Sequence, residues 1–219
     1  MTQEGRLRIG IMGGTFDPIH MGHLILAECA YEQYHLDGIL FLPSGNPPHK
    51  RERIDGASDE ERLAMVSLAI SGNPHFILEN DEMEHEGYSY TYATLERLKS
   101  RHPDTDYYFI IGADSLQSFD TWRRPDIICK YCSLLAAVRD ESPMEDLRRQ
   151  AEKLSDQFGA KIFFLDTPNI DISSTDLRGR CRLNLSLRYY VPEPVRKYIE
   201  EKGIYKKVPA AKDDHYGKI

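Results

Sequence analysis

The sequence has no apolar run long enough to cross a bilayer. Its longest, near Leu134–Val138, falls far short of the ~20 residues a spanning helix needs. The first residues lack the hydrophobic region of a signal peptide, so a cytoplasmic location is the expectation. Positive charge is not in excess. Lys and Arg number 28 against 35 Asp and Glu, a net charge of -7, whereas a nucleic-acid binder normally carries a basic stripe. Neither nucleic acid nor a membrane is an expected partner, while a small anion held by local basic residues stays open. No internal repeat or low-complexity segment is evident. Cysteine is scarce, with four in 219 residues. Cys129 and Cys132 match C-x-x-C, but no second pair or histidine pair stands at zinc spacing. The pair also precedes a strand-like run rather than opening a helix, so it reads as structural.

Two common phosphate-binding fingerprints are missing as well. There is no G-x-G-x-x-G with an acidic partner and no G-x-x-x-x-G-K-[ST], which argues against the usual dinucleotide fold signature and the ATPase loop. A glycine turn is nevertheless present. Leu7–Met12 reads as a buried strand, Gly13-Gly14-Thr15-Phe16-Asp17-Pro18-Ile19-His20-Met21-Gly22-His23 follows, and Leu24–Ala30 reads as a helix. Strand, glycine turn and helix build an anion site, because glycine admits close backbone approach and a helix N-terminus offers N–H groups and a positive dipole end. His20 and His23 would sit where the anion lies. An imidazole there can donate hydrogen bonds and, when protonated, add charge. That chemistry suits substitution at phosphorus, which is mostly positioning and electrostatics.

The rest of the chain alternates strands and helices. Strands are expected at Gly38–Pro43, Phe76–Leu78, Tyr107–Ile111, Leu134–Val138 and Lys161–Leu165. Helices are expected at Arg62–Ile70 behind a Ser58/Glu61 capping box, at Ser89–Arg101, at Leu116–Cys129 with a break at Pro125, and at Met144–Phe158. The acidic run 81–87 reads as a solvated connection. This alternation specifies an α/β fold, a Rossmann-like open parallel sheet with helices on both faces, followed by a small C-terminal helical segment. One domain is expected over 1–205, its C-terminal helical part spanning 172–205. Helical structure is expected through Tyr190 and again over Pro194–Glu201, with 206–219 as a flexible tail. Ligands of such sheets bind beyond the carboxyl ends of the strands. The glycine turn, the Pro47-Pro48-His49-Lys50 loop and Gly112-Ala113-Asp114 should therefore converge.

A second anion site of similar design follows the sixth strand. Ser173-Ser174-Thr175 opens a helix, and Arg178 can supply bidentate contacts. Two such sites at neighbouring strand ends suggest a triphosphate gripped from both sides.

The opening stretch resembles the signature of the nucleotidyltransferase superfamily that carries the H-x-G-H motif, and Ile172–Arg178 is similar to its second signature. Pro47-Pro48-His49-Lys50, Ser89-Tyr90-Thr91 and Ile111-Gly112-Ala113-Asp114-Ser115-Leu116, followed by Trp122, resemble one branch, the bacterial nicotinate-nucleotide adenylyltransferases. The resemblance runs from about Arg8 to Tyr205. It implies transfer of the adenylyl group of ATP to nicotinate mononucleotide, giving deamido-NAD and pyrophosphate, with Mg²⁺ bridging the ATP phosphates and no protein residue assigned as a metal ligand. It implies catalytic roles for His20, His23 and Arg178. It further implies ATP contacts from Gly13, Gly14, Thr15 and Phe16, from Gly112 and Asp114 at the ribose, and from Ser173, Ser174 and Thr175 at the phosphates. For the mononucleotide it implies Asn46, His49 and Lys50, with Thr91 at the carboxylate and Trp122 stacked on the pyridine ring. Arg139-Asp140-Glu141 lacks the Arg-Pro-Gly turn often seen in the family, and Arg139 carries no assigned role. A homo-oligomer is left open.

The alternatives on the same fold are transfer to phosphopantetheine, cytidylyl transfer to a phosphoalcohol, and a preference for nicotinamide mononucleotide. The first two suit shorter chains without the Ser-Tyr-Thr and Trp122 features. The third depends on how a few N–H groups point. From a different class, a non-catalytic nucleotide-binding regulatory module would not need both histidines together with Arg178.

Overall fold

The computed structural model describes residues 5–45, 56–84, 88–138 and 144–206. Asn46, His49 and Lys50, the Arg139 segment, His85–Gly87 and the tail from 207 onward lie outside the described residues.

Among the described residues, six strands form one parallel sheet: β1 (Leu7–Gly14), β2 (Gly38–Pro43), β3 (Phe76–Leu78), β4 (Thr105–Gly112), β5 (Cys132–Val138) and β6 (Ile162–Asp166). Their spatial order is β3-β2-β1-β4-β5-β6, all pairs parallel. The order reverses between β1 and β4, so their carboxyl ends flank the crevice at which such sheets take ligands. The central strands are near-continuous apolar runs because both faces are covered. One face packs Phe16, Ile19, Phe41, Met65 and Val66 beneath α1 (Met21–Gln33) and α2 (Asp59–Ile70). The other packs Ile11, Leu95, Leu116, Phe119 and Leu134 beneath α3 (Thr91–Arg101), α4 (Ala113–Gln117), α5 (Pro125–Tyr131) and α6 (Met144–Phe158). Two further helices, α7 (Ser174–Arg182) and α8 (Glu193–Lys202), return to the first face through Leu177, Val195 and Ile199.

The expected capping box is present. Ser58 Oγ accepts the Glu61 N–H at 3.2 Å and Glu61 Oε2 accepts the Ser58 N–H at 2.8 Å. Three expectations need correction. The helix expected over Leu116–Cys129 is two helices, α4 and α5, with a 3₁₀ turn at Phe119–Thr121 between them. Pro125 does not break a helix but starts one, since its fixed φ and missing N–H suit the first position. The stretch up to Tyr190 is not helical but a turn closed by an Arg188–Val191 bridge, with Asn184 and Tyr189 at positive φ.

The third correction concerns the start of the acidic run, where two residues pack instead of being solvated, while Glu84 is exposed as expected and 85–87 lie outside the described residues. Asp81 and Glu82 are both buried. Asp81 accepts from Arg97 at 2.8 Å and from Arg101 at 2.9 Å, and Glu82 accepts the Thr94 hydroxyl at 2.9 Å. Two arginines one helical turn apart neutralise Asp81, and burial pushes the Glu82 carboxyl up. A local charge count misses partners supplied by another element.

Candidate active site

β1 ends in two glycines whose space is taken by aromatic rings. A Cβ on Gly13 would stand 3.1 Å from the Phe109 ring, and one on Gly14 3.2 Å from the Phe16 ring. Close packing therefore demands both. Phe16 itself has φ 50, a conformation uncommon for a bulky residue. Complete burial of its ring against Phe41 and His23 holds it there. The Asp17–Pro18 peptide is cis. The connection then delivers His20 to the N-cap of α1.

The two histidines act as a unit. Their ring centroids are 3.7 Å apart, nearly parallel, and His23 Nδ1 accepts the main-chain N–H of His20 at 3.2 Å. A backbone N–H can only donate, so neutral His23 carries its proton on Nε2 and presents a hydrogen-bond donor. Burial, reinforced by the neighbouring His20, holds the His23 pKa well below its ordinary value. His23 therefore stands as a neutral donor, and the added positive charge allowed for in the sequence reading is not its resting form. Gly22 explains the spacing between them: a Cβ there would meet His20 Nδ1 at 3.1 Å and Cε1 at 3.3 Å. The α1 N-terminus is also less open than expected. The N–H of Met21 donates to the Tyr190 carbonyl at 2.8 Å and that of His20 to His23, so imidazole N–H groups supplement main-chain donors already engaged.

α7 meets this turn directly. Ser174 Oγ donates to the Pro18 carbonyl at 2.9 Å. Arg178 donates through Nη1 to the Asp17 carbonyl at 2.7 Å and through Nη2 to Thr175 Oγ1 at 3.2 Å. Ser173 Oγ accepts the Asp176 N–H at 3.1 Å and so caps the helix. The two motifs lie more than 150 residues apart in sequence, yet their side chains touch. The hydroxyls of Ser173 and Ser174 are occupied in fastening α7.

Gly112 ends β4 beside β1, with no atom within 4 Å of where a Cβ would lie. Asp114 is exposed in the first turn of α4. Trp122 is partly buried, edge-on to Phe109 at 6.1 Å and tilted on Phe119 at 5.2 Å. Phe109 in turn packs on Gly13, which links Trp122 to the opening turn. Thr91 is the first residue of α3. Its neighbour Tyr90 lies under the Arg123 guanidinium at 4.9 Å, a contact that joins the Thr91 and Trp122 segments.

Cys129 and Cys132 are buried, free thiols. Burial pushes Cys129 up to about 11 and Cys132 higher still. Burial disfavours both thiolates, in keeping with the structural reading of C-x-x-C.

Three residues of the site have no role assigned from the sequence. Arg62, 4% exposed, donates to the Thr15 carbonyl at 2.7 Å and the Ser44 carbonyl at 2.8 Å, tying the ends of β1 and β2 together. One signal was available: Arg62 shares the inner helical face with Met65, Val66 and Ile70, where a charge needs a buried partner. Asp17 and Tyr205 are the others. Tyr205 donates to Asp17 Oδ1 at 2.7 Å across 188 positions, and no local pattern announces that pair.

The chain matches the cytidylyltransferase-like family over residues 11–180. It is 46% identical over 200 residues to a probable nicotinate-nucleotide adenylyltransferase of Lachnoclostridium phytofermentans, covering 90% of this chain and 98% of that one. It is 42% identical to the probable enzyme of that name from Exiguobacterium sibiricum, covering 91% and 99%. Among solved structures it resembles Plasmodium falciparum nicotinic acid mononucleotide adenylyltransferase complexed with NaAD. The TM-score is 0.73 at 20% identity, covering 91% of this chain and 97% of that one. That likeness bears on the fold.

Proposed function

The chain belongs to the cytidylyltransferase-like family, and we propose that within it the chain acts as a nicotinate-nucleotide adenylyltransferase. It transfers the adenylyl group of ATP to nicotinate mononucleotide, giving deamido-NAD and pyrophosphate. The observation that carries this reading is the direct contact of the H-x-G-H turn with the N-terminal end of α7 through Asp17–Arg178 and Pro18–Ser174. That contact brings the turn that carries the neutral His23 donor together with a fixed cation.

The mononucleotide phosphate attacks the α-phosphorus of ATP in line. A new O–P bond forms as the bond to the leaving pyrophosphate oxygen breaks, with no enzyme-bound intermediate. His23 donates from Nε2 to the α-phosphate oxygens as charge develops there, with His20 stacked beside it. Arg178 and the first main-chain N–H groups of α7, at Ser174 and Thr175, hold the β- and γ-phosphates. Gly13, Gly14, Thr15 and Phe16 line the turn, and Ser173 keeps α7 in place as its cap. Gly112, bare of neighbours, and Asp114 receive the ribose. Trp122 stacks on the pyridine ring and Thr91 meets its carboxylate, with Asn46, His49 and Lys50 closing the mononucleotide side.

Mg²⁺ supplies charge neutralisation on the ATP phosphates. The nearest carboxylate in the turn, Asp17, is engaged by Tyr205 and the Ala57 N–H, so phosphate oxygens and water are the fitting ligands. Among the described residues no helix is long and apolar enough to cross a membrane; a cytoplasmic location is part of the proposal. The test is incubation with ATP, Mg²⁺ and either mononucleotide while pyrophosphate is measured. Release with nicotinate mononucleotide is expected. Faster turnover with the amide would revise the specificity, and no release with either would overturn the reading.

A further inference from the structure

Asp17 lies in the turn, 1% exposed, and the catalytic scheme gives it no task. Its Oδ1 accepts the Tyr205 hydroxyl at 2.7 Å and the Ala57 N–H at 3.0 Å. Its Oδ2 stands 3.8 Å from Arg178 Nη1, yet the same Nη1 donates at 2.7 Å to the Asp17 main-chain carbonyl. The guanidinium is therefore seated on a neutral oxygen although a carboxylate lies within reach. A bidentate arginine–carboxylate pair is ordinarily the stronger arrangement, so something holds the carboxylate off. The donors on Oδ1 take part in this. They draw the carboxylate's charge to the side away from Arg178 and fix its plane.

Tyr205 is built for this. It is 8% exposed and its φ is 65, a left-handed backbone that is strained in a residue other than glycine. The chain turns there, just after the left-handed Gly203 that ends α8, and the turn aims the ring inward at the catalytic loop. Burial and the adjacent Asp17 push the Tyr205 hydroxyl far up from its ordinary value, so it remains a donor at every working pH.

We propose that Tyr205 is a positioning residue for ATP binding: its hydroxyl holds the Asp17 carboxylate so that Arg178 stays seated on the Asp17 carbonyl, available to phosphate. The proposal rests on the reading that Arg178 meets the β- and γ-phosphates. Without the hydroxyl, the carboxylate turns toward Arg178 and competes with phosphate for the guanidinium.

The experiment measures the Kd of a non-hydrolysable ATP analogue by calorimetry for wild type, Tyr205→Phe and Tyr205→Phe/Asp17→Asn, with KM for each substrate and the thermal midpoint alongside. Tyr205→Phe should weaken the analogue about tenfold, ~1.4 kcal/mol, and change the mononucleotide KM by less than about twofold. Adding Asp17→Asn removes the competing charge and should restore the affinity to within about threefold of wild type. A merely structural tyrosine would lower the thermal midpoint, raise both constants together and show no rescue, and that result overturns the proposal, as does unchanged affinity in Tyr205→Phe. Should Tyr205→Phe fail to fold, Asp17→Asn alone carries the test. Binding within about threefold of wild type supports the proposal, and a tenfold loss overturns it. Calorimetry needs no turnover, so a wild type that binds the analogue but releases no pyrophosphate would overturn the enzymatic reading and leave this one standing.

Discussion

The N-terminal ends of α1 and α7 are joined through the Asp17–Pro18 turn, but they are built differently. At α1 the N-cap residue is a histidine, leading main-chain donors are consumed by Tyr190 and by His23, and the group on offer is the neutral His23 ring. At α7 the cap is a serine hydroxyl, and a permanent cation, Arg178, lies above a buried carboxylate. Neutral donors suit the α-phosphorus, where charge grows only as the reaction proceeds. A fixed charge suits the β- and γ-phosphates, whose charge is present throughout. The contrast teaches that a helix N-terminus is a mounting point whose chemistry is set by the side chains fastened to it.

The comparison breaks most sharply at Arg178. Arg178→Ala leaves the Asp17 carboxylate buried without its counter-charge, and should cost about 3 kcal/mol of stability by denaturant unfolding, together with a ~10³-fold loss in kcat/KM for ATP. His23→Ala, at the other helix, should cost ~3–4 kcal/mol in the transition state, read as kcat, while unfolding stays within about 1 kcal/mol of wild type. An effect on kcat below tenfold would take His23 off the catalytic list. If instead both variants lose stability equally, the assignment of fixed charge to one helix only is wrong.

Trp122→Ala leaves both helix ends intact, and should raise the mononucleotide KM roughly 10–100-fold, from stacking worth ~1–3 kcal/mol, with little change for ATP. Equal effects on both substrates would make Trp122 a core residue. Gly22→Ala pushes on His20 by a few tenths of an ångström, and should lower kcat by about tenfold at most without altering ATP affinity.

The smallest effect is in pH. The folded chain holds His23 neutral below its ordinary 6.5, while the unfolded chain takes up that proton. Stability is therefore undiminished above pH 6.5 and is lost as pH falls below it. His23→Gln should flatten that acid limb in thermal unfolding, and an unchanged limb would contradict the burial of a neutral ring.

The sheet, its six strands and the helix between each pair were legible because apolar runs and 3.6-residue periods are local signals. The two motifs we assign to phosphate stood out for the same reason, since each lies within about ten residues. What could not be read was non-local. Asp81 looked solvated because Arg97 and Arg101 stand on α3. Pro125 looked like a break because its role depends on where the Phe119–Thr121 turn ends. Arg62, Asp17 and Tyr205 each serve partners 18 to 188 positions away, and Ser174 showed itself as a staple only once Pro18 was seen beneath it. The motifs named the groups we assign to substrate; the fold alone revealed the groups that hold them.

The central claim is that the two helix ends hold one triphosphate, and ¹⁵N NMR tests it most directly. In labelled protein titrated with a non-hydrolysable ATP analogue and Mg²⁺, the His23 Nε2 resonance and the main-chain amides of Ser174 and Thr175 should shift together and saturate with a single Kd. Shifts confined to one helix end, or two separate saturation curves, would contradict the account.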